Sequence, residues 1–311
     1  MTSDDRRALL PWLLAAVGLT AIGWLVSEIG VERLLTAARG LAPWLPVVFA
    51  LEGARWLADA GATWRLYGAR RRSGSPSRLV VASFAAYPVT LLFPAGRVAG
   101  EVLKAASMRH DVGLGRAAAA AVTMQALPLL AGAVVSLPCI TVAWLSWGAS
   151  WLTGAIALQA MTALALGGAV LWASSRPVVG RLARRVSEQL GAATDDVQRA
   201  LTEEAVPMAP AFVLAVASRA LLAAQIVLLA HAVGVSGGLS GGLLTVGLHF
   251  VGQAAGDLVP AQLGATDGAL VLGSEALGAS SAGLVAAGLS FHASQLLWAG
   301  IGAVIGVRLR L

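Results

Sequence analysis

Four charged residues stand where an apolar membrane chain would ordinarily hold none. Arg55 falls in the apolar run 41–57 and Arg219 in the run 208–232, while Glu101 and Asp267 each lie seven positions beyond a proline, Pro94 and Pro260. A charged side chain at the centre of a membrane helix costs roughly 2.5–3.5 kcal/mol, so such residues face a cavity or a partner. A guanidinium binds phosphate through two parallel hydrogen bonds and cannot lose its charge, which makes Arg55 and Arg219 candidates for gripping an anionic head group. The competing reading is plain pairing, Arg55 with Glu52 one turn away; Arg219 has no acid close by in sequence. Glu101 and Asp267 either neutralise Arg97, Lys104 and the span arginines or, if burial favours their neutral form, exchange a proton.

The elements that must position these residues are two broken apolar segments. The run 79–93 is 15 residues long and ends at Pro94-Ala95-Gly96-Arg97 before resuming through Glu101 and Lys104. At about 1.5 Å per residue it cannot cross a hydrocarbon core about 30 Å thick, so the break is expected at membrane depth. The run 241–259 is broken in the same way by Pro260-Ala261-Gln262-Leu263-Gly264. Arg55 lies 39 residues before Pro94 and Arg219 lies 41 before Pro260. Interrupted hydrophobic segments at matching positions of two halves point to a transporter's binding site. Proline suits the first turn of a helix, so the segments after Pro94 and Pro260 start with free amides and a positive dipole end that attract anions.

Composition supports this class. The chain has 311 residues, 58% hydrophobic and 12% charged, which no ordinary soluble domain shows. Its net charge of +6 does not imply nucleic acid, because the basic residues cluster in short segments between apolar runs. That is the positive-inside pattern of a polytopic membrane protein. Cys139 is the single cysteine, so intrachain disulfides and cysteine-based metal sites are excluded. His231, His249 and His292 lack metal-ligand spacing and read as packed or interfacial, and no metal or cofactor is expected. No serine or cysteine has a base partner, and no lysine follows the glycines of 234–242, so neither a hydrolase nor a nucleotide-binding loop is expected.

In chain order, a first span at 8–26 follows Arg6-Arg7, and 27–41 has the charge spacing of a short interfacial helix. The second span, 41–57, leads into a basic loop of Arg65, Arg70, Arg71, Arg72 and Arg78. After the Pro94 hairpin come Arg109, His110 and Arg116, then spans at 117–143 and 151–173 on either side of Trp144, Trp147 and Trp151. Residues 176–204 read as an amphipathic cytoplasmic helix pair, followed by the span 208–232, the Pro260 hairpin and the last span, 282–307. Charge bias puts both termini and the first hairpin on the cytoplasmic side and the second hairpin outside. The expected fold is therefore an all-α polytopic membrane protein of about six full spans plus two re-entrant helical hairpins. A single transmembrane domain, 1–311, would be built as an inverted-topology repeat, 1–143 and 151–311.

At the breaks the chain resembles the flippase-like membrane domain of lysylphosphatidylglycerol synthases (multiple peptide resistance factors) and of stand-alone bacterial proteins. The resemblance rests on Pro94-x-Gly96-Arg97-x-x-Gly100-Glu101 with Lys104, on Pro260-x-x-Leu263-Gly264 followed by Asp267 and Gly268, and on Arg55-Trp56. It covers nearly the whole chain. The family's second motif is usually richer in glycine and ends in Glu, where Asp267 stands here. The Arg and acid expected after the first hairpin are replaced by Thr123-Met124-Gln125. The resemblance implies translocation of a polar-headed lipid between leaflets without nucleotide hydrolysis. It brings Gly96, Gly100 and Gly264 into the substrate-binding set with Arg55, Arg219, Pro94, Arg97, Glu101, Lys104, Pro260 and Asp267. The soluble aminoacyl-transfer domain of the synthases would follow the membrane part, and the chain stops at Leu311, so synthase activity is not expected.

The sequence thus points to a non-enzymatic lipid flippase or scramblase of the bacterial inner membrane, with a membrane lipid as substrate. Two alternatives stay open. One is an ion- or proton-coupled transporter of a small anionic solute; the other is a membrane accessory protein of polyprenyl-linked glycan or lipid synthesis. A homo-oligomer and a separately encoded lipid-modifying enzyme are the partners to consider.

Overall fold

The computed structural model describes residues 20, 23, 24, 26–93, 95–176, 181, 184, 185, 187–202, 207–257, 259 and 262–309. The first span expected at 8–26 lies almost entirely outside these residues, as do Pro94 and Pro260. Every regular element among the described residues is helical. Five helical stretches are long and apolar enough to cross a membrane, 31–66, 114–147, 151–174, 208–232 and 281–308. The protein is a polytopic helical membrane protein.

Helix α1 (Val31–Leu41) passes through a 3-10 turn, Ala42–Trp44, straight into α2 (Leu45–Leu66), so the expected interfacial helix is the first part of one long stretch. The boundary at Leu57 is corrected by nine residues. Asp59 and Arg65 interrupt the apolar composition, yet the helix continues because Ala60, Ala62, Thr63 and Leu66 are buried. Glu52, Arg55 and Asp59 therefore sit near the middle of α2. A 3-10 turn, Gly68–Ser73, then carries Arg70, Arg71 and Arg72.

Helices α3 (Pro76–Leu92) and α4 (Gly96–Val112) form the first broken pair. A residue before proline avoids the α region, and Phe93 is accordingly extended (φ −103°, ψ 145°). Ala95 follows in the left-handed region at φ 52°. The arms close tightly at Gly96 and Gly100: a Cβ would fall 2.3 Å from the Val89 carbonyl at the first and 2.0 Å from Thr90 Oγ1 at the second.

Helix α5 (Leu114–Trp147) spans 34 residues, about 51 Å, with Pro128 and Pro138 inside it, and packs along α6 (Trp151–Ser174). The Ser150 side chain caps α6 by accepting from the Thr153 amide at 3.3 Å. Of the helix pair expected at 176–204, α7 (Glu188–Thr202) is described, and it packs on α5. The second half comprises α8 (Met208–Ala232), α9 (Leu239–Gly256), α10 (Ala265–Leu272), α11 (Ser274–Leu277) and α12 (Ser281–Leu309). Helix α10 has only eight residues where α4 has 17, so the two broken pairs differ in their second arm.

At the centre α2 lies against α8. Helix α3 pairs with α4 and α9 with α10; α4 packs on α5 and α10 on α12; α12 packs on α3 and α5 on α9. Large apolar side chains such as Leu145, Trp151, Leu158 and Trp172 stay exposed on α5 and α6, as a lipid-facing surface requires. The α3–α12 contact shows how the close packing arises. Pro88 leaves the Phe84 carbonyl without its usual helical donor, and Gly302 of α12 approaches that oxygen.

A Cβ at Gly302 would fall 2.1 Å from the Phe84 carbonyl, whereas at Gly300 it would meet nothing within 4 Å. Gly302→Ala is expected to cost about 1–3 kcal/mol by forcing α3 and α12 apart. Gly300→Ala, one helix face away, should be neutral or slightly stabilising. Thermal unfolding in detergent compares the two, and equal effects would contradict this packing.

Candidate functional site

The structure joins the two halves through one carboxylate. Glu52 is fully buried and accepts from Arg55 Nη2 at 2.5 Å, Arg55 Nε at 3.0 Å, Tyr87 Oη at 2.8 Å, Trp56 Nε1 at 3.2 Å and Gln225 Nε2 at 3.2 Å. These donors come from α2, α3 and α8, and they fill the roughly four acceptor positions a carboxylate offers. Arg55 is thereby committed to Glu52 through two of its nitrogens, the pairing alternative considered above. The guanidinium also lies over Trp56, 5.2 Å from the ring centroid.

Arg219 is placed differently. Its Nε donates to the Pro128 carbonyl at 3.2 Å, and among the described residues it makes no ion pair. Arg97, from the start of α4, donates through Nη2 to the Met124 carbonyl at 3.4 Å. Met124 is the residue four before Pro128, so its carbonyl is the one that lost its helical donor to the proline ring. Two cations, one from each half, thus meet at neighbouring turns of α5, about 6 Å apart along its axis. Neither half of the sequence marks these acceptors, because they are backbone atoms.

Arg97, Arg55, Asp59 and Asp257 all lie within electrostatic reach of Arg219. Asp257 precedes the second break and Arg97 follows the first, so the flanks of the two breaks lie within electrostatic reach of each other. Lys104 pairs with Glu101 at 2.5 Å, and Glu101 also lies within reach of Arg97 and Asp59. Four cations (Arg55, Arg97, Lys104, Arg219) are therefore matched by four acids (Glu52, Asp59, Glu101, Asp257). Of these, Arg97 and Arg219 have no carboxylate in contact among the described residues. Formal charges in this neighbourhood therefore balance, and two of its guanidiniums rest on backbone carbonyls.

The remaining site candidates are elsewhere or act as structure. Gly96 and Gly100 close the α3–α4 hairpin. Asp267 caps α10 by accepting from the Gly264 amide at 3.0 Å and pairs with His292 at 3.4 Å. It belongs to a separate cluster on α9, α10 and α12. Gln262, in the second break, has φ 57°; it and Ala95 are the non-glycine residues with left-handed backbone among those described. Such conformations cost of order 1–3 kcal/mol and concentrate at functional sites. Tyr87 and Gln225 escaped the sequence reading, and His292 was read there as packed or interfacial; Tyr87 and Gln225 are lone polar groups in apolar runs, a signal that marks burial but not a partner.

A family model described as "Lysylphosphatidylglycerol synthase TM region" matches residues 12–302. No curated protein and no solved structure matches the chain.

Removing Glu52 leaves a buried guanidinium and three other donors without an acceptor. Glu52→Ala is expected to destabilise the protein by about 3–5 kcal/mol, and Glu52→Ala combined with Arg55→Leu to recover part of the loss. A double-mutant cycle on thermal unfolding in detergent measures this; additive losses would show that the pair is not the junction described.

Proposed function

The chain belongs to the family of lysylphosphatidylglycerol synthase transmembrane regions, and from that membership and the arginine pair beside Pro128 of α5 we propose that it is a lipid flippase or scramblase. Its substrate is a polar-headed, phosphate-bearing lipid carried between leaflets of the bacterial inner membrane, with both termini of the chain cytoplasmic. The carrying observation is that Arg97 and Arg219 reach neighbouring turns of α5 with backbone carbonyls as their only hydrogen-bond acceptors among the described residues. A head-group phosphate offers those guanidiniums the charge-assisted bonds they lack. Arg55, Glu101 and Asp59 set the surrounding field, while the acyl or prenyl chains stay in the lipid outside the bundle.

The inverted repeat is supported by the packing list. Among these eight helices, exchanging α2 with α8, α3 with α9, α4 with α10 and α5 with α12 leaves α2–α8 in place and turns every other contact into one that is present; α6 and α1 lie outside this exchange. In this reading the two broken pairs are re-entrant from opposite faces, and 176–204 links the halves in the cytoplasm. Helix α3 has 17 residues and α9 has 18, about 26–27 Å, which suits arms that end inside the bilayer. The chain performs no group transfer of its own; a lipid-modifying enzyme acting on the same lipid would be a separate partner.

Liposomes carrying fluorescent anionic, cationic or zwitterionic lipids test this reading. The protein should accelerate leaflet exchange of at least one phosphate-bearing lipid over empty vesicles. Arg219→Ala and Arg97→Ala should each slow it tenfold or more, about 1.4 kcal/mol, at equal reconstitution. Exchange no faster than in empty vesicles for every lipid would refute the reading.

A further inference from the structure

Beyond the arginine pair, the second half holds an ionisable cluster that the lipid reading does not use. Asp267, His292, His249 and Thr266 are all buried, at 0%, 3%, 2% and 1% exposure. They come from three helices: His249 from α9, Thr266 and Asp267 from α10, His292 from α12. His292 Nε2 faces Asp267 Oδ2 at 3.4 Å and Thr266 Oγ1 at 3.2 Å, and its Nδ1 faces Gln295 Oε1 at 3.4 Å. With the Gln295 amide oxygen turned to Nδ1, both ring nitrogens face acceptors, an arrangement that the doubly protonated imidazole serves. Two further polar atoms are left without hydrogen-bond partners: Asp267 Oδ1 and His249 Nε2. His249 borders a cavity of about 10 Å³, together with Thr245 and Gly288, roughly the volume of one water. Gly288 is also where α12 backs onto Asp267, since a Cβ there would fall 2.0 Å from Oδ1.

We propose that Asp267, His292 and His249 form a proton-binding site inside the second half, which holds one proton on the Asp267–His292 pair with His249 as its exchange partner through the adjacent cavity. The charge count supports this. No lysine or arginine among the described residues contacts Asp267, so the cluster with neutral rings would bury one net negative charge; one proton makes it neutral. Arg219 on α8 and Arg55 on α2 lie within longer electrostatic reach of His249, and Phe250 and Phe291 supply the apolar walls. The ligand is a proton rather than a metal ion, because no three His, Cys, Asp or Glu side chains converge to hold a metal among the described residues. The proton ties α10 to α12 and so couples its own binding to the packing behind the second break. As an ion site for transport, this inference deepens the lipid reading; as a protonation site, it stands without it.

Nitrogen-15 NMR of the purified protein, selectively labelled at its four histidines, tests the site directly. Signals are assigned by single substitutions of His110, His231 and His249 to Gln, which leaves His292 untouched. His292 should be doubly protonated at pH 7 and become singly protonated in Asp267→Asn. A singly protonated His292 throughout pH 5–8 would overturn the proposal, whatever the transport assays show. In proteoliposomes, lipid exchange should change at least threefold when a pH gradient is imposed, and that ratio should fall to one in His292→Gln. A doubly protonated His292 with no gradient response in an active wild type would refute the coupling, and absence of exchange in the wild type would count against the lipid reading alone.

Discussion

A charge among apolar helices has to find its counterpart inside the same bundle, since lipid offers none. Glu52 meets that constraint at the point where α2, α3 and α8 touch. Its carboxylate takes donors from all three, and no solvent reaches it. The registers of α2 on α8 and of α3 on α2 are both tied to this atom pair. Arg219 and Arg97 reach α5 from α8 and α4, both of which pack on it. The junction explains why a guanidinium can be spared from pairing. With Glu52 saturated by Arg55 and its neighbours, no acid among the described residues is left in contact with Arg219.

Prolines supply the other half of the chemistry. Each one inside a helix removes a donor and exposes a carbonyl four residues back. At Pro128 the exposed carbonyl of Met124 receives Arg97, and the proline's own carbonyl receives Arg219. At Pro88 the exposed Phe84 carbonyl meets the backbone of Gly302. The same kind of fault serves as a cation anchor in one place and as a contact between helices in another. What decides is whether the facing residue brings a long side chain or none.

Much of this was legible in the sequence, and the rest was hidden for physical reasons. The membrane class, the two proline breaks and the Arg55–Glu52 pairing alternative follow from composition and helical spacing, and the family follows from the motif around Gly96-Arg97 and Gly100-Glu101. The length of α2 was misjudged because Asp59 and Arg65 dilute its hydropathy while their neighbours are buried by other helices. The partners of Arg97 and Arg219 could not be read, since a backbone carbonyl has no letter of its own. His292 looked like a packed histidine because its partner Asp267 lies 25 positions away on a different helix. Gly96 and Gly100 drew attention as motif residues, and the structure gives both a role in closing the hairpin.

In the proposed function, the flanks of the two breaks meet within the bilayer after entering from opposite faces. In a protein whose Cys139 has been replaced by alanine, single cysteines at Phe93 and Asp257 can be challenged with a membrane-impermeant thiol reagent applied to one side of sealed vesicles at a time. The account predicts that Phe93→Cys reacts only from the cytoplasmic side and Asp257→Cys only from the external side. Reaction of both from the same side would contradict it.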